Sequence, residues 1–387
     1  MTLLVYAIPF LASIASGALM FAFPLSVTEH TGDSFLSGMV VLVSGATYVL
    51  TTAALMLSKP GEKRSMWIAY GGLSLLVLAG LLPAILWTPW WLTYVFTTLQ
   101  GVGSAAFLVC FQIVLQRVAS RYSIAVAFSN FVVAWALGYA IGPFISGLFH
   151  EVSIVVPVLF AATCSALAIG LLVAATHVAT PTANVADPEP LPTGPPQVRF
   201  GWAIIFLSGF FMVTYRGIFP DYGVVSGFAA RQSGSMLLVL FLTLAATAFT
   251  LRFVYRSFLS RWTLFWAIPV AYVAACLALA LGNAAAAYIA VALLGVAIAI
   301  GYFFAGAFAL SDGDGKSRNV AVNETVVGVA SIIGPLSASA IAGAASYVAF
   351  FGVSAILAIA VFALGYPRQA LAHRGSYVSA PESSPET

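Results

Sequence analysis

Long apolar runs, separated by short polar turns, fill almost the whole chain. A helix needs about 20 such residues to cross the hydrocarbon of a bilayer. By that measure the sequence predicts twelve spans, at Leu3–Thr28, Leu36–Leu57, Met66–Leu86, Leu92–Leu115, 123–149, Val152–Ala175, Gly201–Phe219, Ser235–Phe253, Thr263–Leu281, Ala285–Leu310, Val320–Ala344 and Tyr347–Leu364. The runs are continuous rather than alternating in ten-residue segments, so they predict helices and not the strands of a barrel. Trp87, Trp90 and Trp91 fall at a predicted membrane–water boundary, where aromatic rings anchor a span. The first run has no basic leader or small-residue cleavage site and reads as a retained span.

The pattern turns polar over a longer stretch at the midpoint and again at the end. Residues 177–200 are rich in Pro and Thr and poor in apolar residues, which predicts a flexible linker. Residues 367–387 predict a disordered tail. The expected organisation is a six-helix bundle over 1–176, a cytoplasmic linker over 177–200, a second six-helix bundle over 201–366 and a cytoplasmic tail. Internal repetition agrees with that division. The stretch Gly138-Tyr139-Ala140-Ile141-Gly142-Pro143, followed by Gly147, places a proline and small residues inside one apolar run. Proline there is tolerable only where neighbouring helices satisfy the freed backbone groups, and the glycines offer a narrow face for close packing. Gly334-Pro335 repeats the idea 192 residues later, and Ser16-Gly17 and Ser208-Gly209 are separated by the same 192. Gly101 and Gly103 of the fourth run have partners in Gly295 and Ala297 of the tenth. Parallel repeats of six helices predict two bundles facing each other across a central cavity.

Composition changes the picture only by excluding alternatives. The chain is 61% hydrophobic and 7% charged, where an ordinary soluble domain carries roughly 25% charged residues. Such a chain cannot present a solvated surface of its own. No basic stripe with interleaved aromatics suggests nucleic acid as a partner. Cys110, Cys164 and Cys276 sit singly in different runs, so neither a metal site nor a redox pair is indicated. The four histidines, His30, His150, His177 and His373, fall in turns or the tail. There is no GxSxG, HExxH or complete GxxxxGK[ST] phosphate loop, so neither membrane-embedded catalysis nor ATP as driver is expected, and no cofactor. With both termini inside, thirteen of the fifteen basic residues lie on the cytoplasmic side, and only Arg216 and Arg231 do not. That distribution predicts a multi-pass protein of the plasma (cytoplasmic) membrane with both ends in the cytoplasm.

These motifs resemble those of the major facilitator superfamily over essentially the whole chain. The Gly138–Gly147 stretch resembles the fifth-helix motif common in export-type members, and Gln100-Gly101-Val102-Gly103 resembles the fourth-helix motif. The basic loop around Gly61 sits where the family has a motif between helices two and three. Thr97 stands where the fourth-helix motif usually starts with Arg, and Ser58 and Lys59 stand where the loop motif usually has Asp and Arg. The resemblance implies an all-α membrane fold of two pseudo-symmetric six-helix bundles, transport of a small-molecule solute coupled to protons or another ion, and a monomer. The missing Asp implies a gate held weakly or in some other way.

Ionisable groups at membrane depth are costly, by roughly 2.5–3.5 kcal/mol on insertion scales, so the few present are the first functional candidates. Glu324, about three turns before Gly334, is a candidate proton-coupling carboxyl or gate residue, or else an acid at a solvated helix start, and Asp221, which opens a predicted turn over Asp221–Gln232, is a second candidate for the coupling or gate role. Arg216 is a candidate for binding an anionic group or for pairing with Asp221, or else an arginine snorkelling to the interface. Gln100, Gln112, Asn130, Asn323 and Tyr139 need partners in apolar surroundings and face either another helix or the cavity. Tyr215 and Trp135 are further cavity candidates, together with an aromatic set of Phe21, Phe107, Phe211 and Phe304. The charge-poor interior favours a hydrophobic or weakly polar solute and proton-coupled efflux by an antiporter. The alternative is uptake or facilitation of a sugar-like or monocarboxylate solute, and less favoured is a non-transporting sensor on the same fold.

Overall fold

The computed structural model describes residues 2–58, 60–86, 89–118, 124–178, 195–311 and 316–366. Within them lie twelve α-helices: α1 (Thr2–Thr31), α2 (Ser34–Ser58), α3 (Glu62–Leu86), α4 (Leu92–Val118), α5 (Ile124–His150), α6 (Val155–Val178), α7 (Pro195–Val225), α8 (Ala230–Ser260), α9 (Ala267–Ala280), α10 (Ala284–Ser311), α11 (Lys316–Ala344) and α12 (Tyr347–Gly365). A short 3-10 turn, Trp262–Trp266, leads into α9. Each of the twelve spans is long and apolar enough to cross a bilayer. Their outward faces are apolar as well, with Leu57, Ile85, Leu277, Ile356 and Leu364 exposed as lipid-facing residues would be. The chain is an integral multi-pass membrane protein with the predicted all-α fold.

The helices form two bundles that repeat each other's packing. In the first, α1 packs on α5 and α6, α3 on α4 and α6, and α2 on α4. In the second, α7 packs on α11 and α12, α9 on α10 and α12, and α8 on α10. The motif glycines show why. A Cβ at Gly142 would collide with the backbone of Ile14 and Ala18, and one at Gly138 with Phe10 and Ser13. Bare backbone at these two positions lets α5 lie directly against α1. Gly334 plays the matching part in α11, against Phe210 and Thr214 of α7. The same correspondence links Gly101, set on Ser44 and Thr47 of α2, with Gly295, set on Leu240 and Thr243 of α8.

Between the bundles, α2 packs on α11, α5 on α8, and α1 and α2 on α7. The central helices are α1 and α7, with 72% and 83% of their spans buried, against 28% for α12. One end of the assembly carries the start of α1 and the end of α12, and is called here the near end. The opposite, far end is closed. There Gly38 lies against Ser339, Gly217 against Val41, and Gly147 and Gly234 against Ala230 and Pro143. The core of the second bundle continues across this seam onto Met20, Phe21, Leu25, Ala136 and Tyr139 of the first. Phe107 lies in the core of the first bundle, and Phe211 and Phe304 in that of the second.

Candidate functional site

Charge picks out the site. Among the described residues, the Asp, Glu, Lys and Arg side chains that are buried are Arg216 and Asp221, both on α7. The sequence predicted that the seventh span would end at Phe219 and that Asp221 would begin a turn. The helix instead runs to Val225. It passes through Pro220 and carries Asp221 inward, because the carboxylate finds donors in the seam. Thr28 Oγ1 on α1 donates to Asp221 Oδ1 at 3.0 Å, and the Tyr347 hydroxyl on α12 donates to Oδ2. The Thr28 hydroxyl also meets the Pro24 carbonyl at 3.1 Å, and Ser37 of α2 donates to that same carbonyl at 3.0 Å. Three helices are therefore tied together at the far end through one carboxylate, across the boundary between the bundles.

Arg216 faces elsewhere. Residues five apart on a helix lie about 140° apart around its axis and about 7.5 Å apart along it, so Arg216 and Asp221 look toward different neighbours, and they form no ion pair among the described residues. A helical side chain leans toward the start of its own helix. Here that direction is from the far end toward mid-membrane. The guanidinium of Arg216 reaches the first bundle there and lies over the Tyr139 ring, 4.6 Å from its centroid. Arg216 is 7% exposed, and its Nε has no hydrogen-bond partner.

Tyr139 belongs to an aromatic cluster at the seam. Its ring stacks on Phe241 of α8 at 5.5 Å and meets Trp135 edge-on at 5.1 Å. Trp135 also touches Phe241 at 6.0 Å and Tyr302 of α10 at 6.5 Å. Trp135 and Tyr302 are half-buried. The backbone is weak at the same place. Proline removes the donor that would have met the carbonyl four residues earlier. Pro143 lies four residues after Tyr139, and Pro220 four after Arg216. The two residues that meet across the seam thus each sit on a turn from which a hydrogen bond is missing.

The other predicted residues divide. Asn130 is half-buried toward the near end of α5, where its Oδ1 accepts from Arg252 Nη1 of α8 at 3.4 Å. Asn323 donates to the Ala305 carbonyl at 3.1 Å, between α11 and α10. Tyr215 is enclosed in the second bundle, its hydroxyl against Cys276 Sγ at 3.3 Å and its ring stacked on Phe211. Gln100 is enclosed in the first bundle: it accepts from Ser44 Oγ at 2.7 Å, its Nε2 donates to Ser104 Oγ at 3.2 Å, and Ser104 meets Ser16 at 2.8 Å. The side chains of Gln112 and Glu324 lie outside the described ones. Sequence reasoning missed Thr28, Phe241, Tyr302 and Tyr347. For Thr28 a signal existed: it and Asp221 are 193 residues apart, close to the repeat offset, as the matching ends of α1 and α7 must be.

The Gln100 network gives a first expectation. Gln100→Leu leaves the Ser44 hydroxyl without its acceptor and takes one partner from Ser104, at a cost of about 1–3 kcal/mol. Thermal unfolding in detergent should show a lower midpoint, while the protein that remains folded keeps its solute binding.

The comparisons with known proteins agree with this geometry. A family model described as Major Facilitator Superfamily matches residues 5–314. Among solved structures, the crystal structure of the nucleoside transporter NupG has a TM-score of 0.69 at 14% identity, covering 94% of this chain and 98% of that one. A mutant of that transporter has a TM-score of 0.68 at 12% identity, with the same coverage of 94% and 98%. No curated protein matches. With its two repeated bundles and a family model that spans most of its length, the chain belongs to the Major Facilitator Superfamily.

Proposed function

We propose that this member of the family is a secondary transporter that moves a small organic solute out of the cell in exchange for protons. The observation that supports this most is that the two buried charges, Arg216 and Asp221, stand at the seam between the bundles. Charges that meet partners across a boundary between two rigid bodies change partners when those bodies move. In this reading the solute binds beside Arg216, Tyr139 and Trp135, and the Thr28–Asp221–Tyr347 contact closes the far end over it. Rocking of the bundles, with bending at the turns before Pro143 and Pro220, breaks that contact and opens the far end. Asp221 supplies a carboxyl that meets one side of the membrane or the other and so can carry the coupling proton, and Glu324 is the second candidate for that role.

The same proposal places both termini and the connection between α6 and α7, shorter than the predicted 177–200 linker because α7 already begins at Pro195, in the cytoplasm, the far end outside, and the working unit as a monomer in the plasma membrane. The outward direction follows the export-type motif that Gly138–Gly147 resembles. The likeness to NupG, at 14% identity, carries the fold and not the substrate. No residue is assigned a catalytic role.

Reconstitution into liposomes containing a pH-sensitive dye tests the reading. A pH gradient should drive uphill movement of at least one member of a panel of organic acids, amides and nucleosides, and the moving solute should in turn shift the internal pH. Solute movement without any proton signal would leave a facilitator. Absence of movement with folded protein would sink the transporter reading.

A further inference from the structure

We infer that the solute is an organic monoanion, recognised through its carboxylate by Arg216 and through a flat apolar body by the aromatic cluster around Trp135. This rests on the reading of the chain as a solute carrier and names what it carries. Arg216 is more than nine-tenths buried, yet it has no carboxylate partner among the described residues and its Nε has no acceptor. Asp221, the carboxylate nearest on the same helix, is held by Thr28 and Tyr347. A desolvated guanidinium without a counter-ion is unfavourable in a membrane interior. The Tyr139 ring relieves part of that, but a cation–π contact engages none of the N–H donors as a hydrogen bond would, and Nε is left without an acceptor. A carboxylate brought against Nε and the neighbouring terminal nitrogen would satisfy that donor bidentately.

The surroundings limit what the anion can be. Arg252, toward the near end of α8, is engaged elsewhere: it lies over Phe249 and Phe253 and donates to Asn130. One cation balances one negative charge, so a dianion would keep a charge unpaired. A lipid headgroup is excluded because Arg216 is enclosed between the bundles rather than facing the bilayer. Past the guanidinium, the half-buried rings of Trp135 and Tyr302 offer flat apolar surface on the near side. Planar bodies stack well on such rings.

The test is equilibrium titration of the full-length protein in detergent with benzoate, phenylacetate and indole-3-acetate, each against its neutral primary amide. At least one carboxylate should bind tenfold or more tightly than its amide. Arg216→Gln should abolish that preference, and Arg216→Lys, which keeps the charge but loses the fork, should retain a reduced one. The lysine variant keeps the question open to measurement should the glutamine variant fail to fold. Equal or better binding of the amides by the unaltered protein overturns the assignment, as does no binding of any carboxylate at millimolar concentration. Undiminished preference in Arg216→Lys and Arg216→Gln alike overturns the role of the side chain. If liposomes instead move a neutral solute and Arg216→Gln moves it equally well, the anion assignment fails and the carrier reading stands. If folded protein moves nothing on the transport panel, the carrier reading itself fails.

Discussion

Gly142→Leu is expected to abolish folded protein, Gly334→Leu to weaken it, and Gly170→Leu to leave it intact. All three glycines lie inside helices, so the differences come from what a side chain would meet. At Gly142 it meets backbone, the carbonyl of Ile14 and the amide of Ala18, and neither can turn aside. The helices α1 and α5 would have to separate. That would also disturb Gly138 against Phe10 and Ser13, and the Ser146 hydroxyl that donates to the Ala18 carbonyl at 3.0 Å. Overpacking ordinarily costs about 1–3 kcal/mol, and here the cost should reach at least ~3 kcal/mol because the clash is with main chain along a whole interface. At Gly334 the first obstacles are the Thr214 hydroxyl and the Phe210 ring, which can shift, so the loss should fall within that ordinary range. At Gly170 nothing lies within reach, and leucine gains about 0.5–1 kcal/mol of helix propensity over glycine. Size-exclusion profiles and unfolding midpoints in detergent should rank the three in this order. A folded, monodisperse Gly142→Leu protein would mean that α1 and α5 do not pack as described.

The same residues show why so much of this fold is visible in the sequence. A bilayer imposes a minimum apolar length on every span, so twelve runs read directly as twelve helices. The Gly-Pro pairs at 142–143 and 334–335 exposed the repeat because close packing against the first helix of each half leaves little choice of residue. Orientation around each helix axis was not visible. When lipid is as apolar as the core, every face of a span looks alike and periodicity loses its signal. Gln100 and Tyr215 therefore read as cavity candidates, although their partners, Ser44, Ser104 and Cys276, lie inside single bundles. Asp221 read as a turn residue because a charge normally ends a span. Its place in the helix depends on two hydroxyls, one of them 193 residues away in the chain and the other 126. Arg216 and Trp135 were found as candidates, and the structure brings them to one cluster through Tyr139.

Asp221→Asn is expected to uncouple transport. The amide has the size of the carboxyl and keeps one acceptor for Thr28 or Tyr347, but it binds no proton near neutral pH. Exchange of solute across liposomes should continue at a rate within a few-fold of the unaltered protein. Uphill accumulation driven by a pH gradient should fall at least tenfold. Two companion substitutions separate coupling from closure. Thr28→Val and Tyr347→Phe each remove one donor and leave the carboxyl in place, so coupling should persist. The closed far end then holds a carboxylate that has lost a charge-assisted hydrogen bond worth about 1.5–3 kcal/mol, whereas in the open state water replaces the lost donor. The balance must move toward the open far end, and ~1.4 kcal/mol is already tenfold in an equilibrium constant. A cysteine placed at Val41, which is covered by Gly217 in the closed form, reads this shift through its rate of modification by a water-soluble reagent. The rate should rise about tenfold in either companion variant. Full accumulation by Asp221→Asn would move the coupling proton away from this carboxyl and leave Asp221 as a latch alone, and the cysteine rates of Thr28→Val and Tyr347→Phe would still measure how strongly that latch holds.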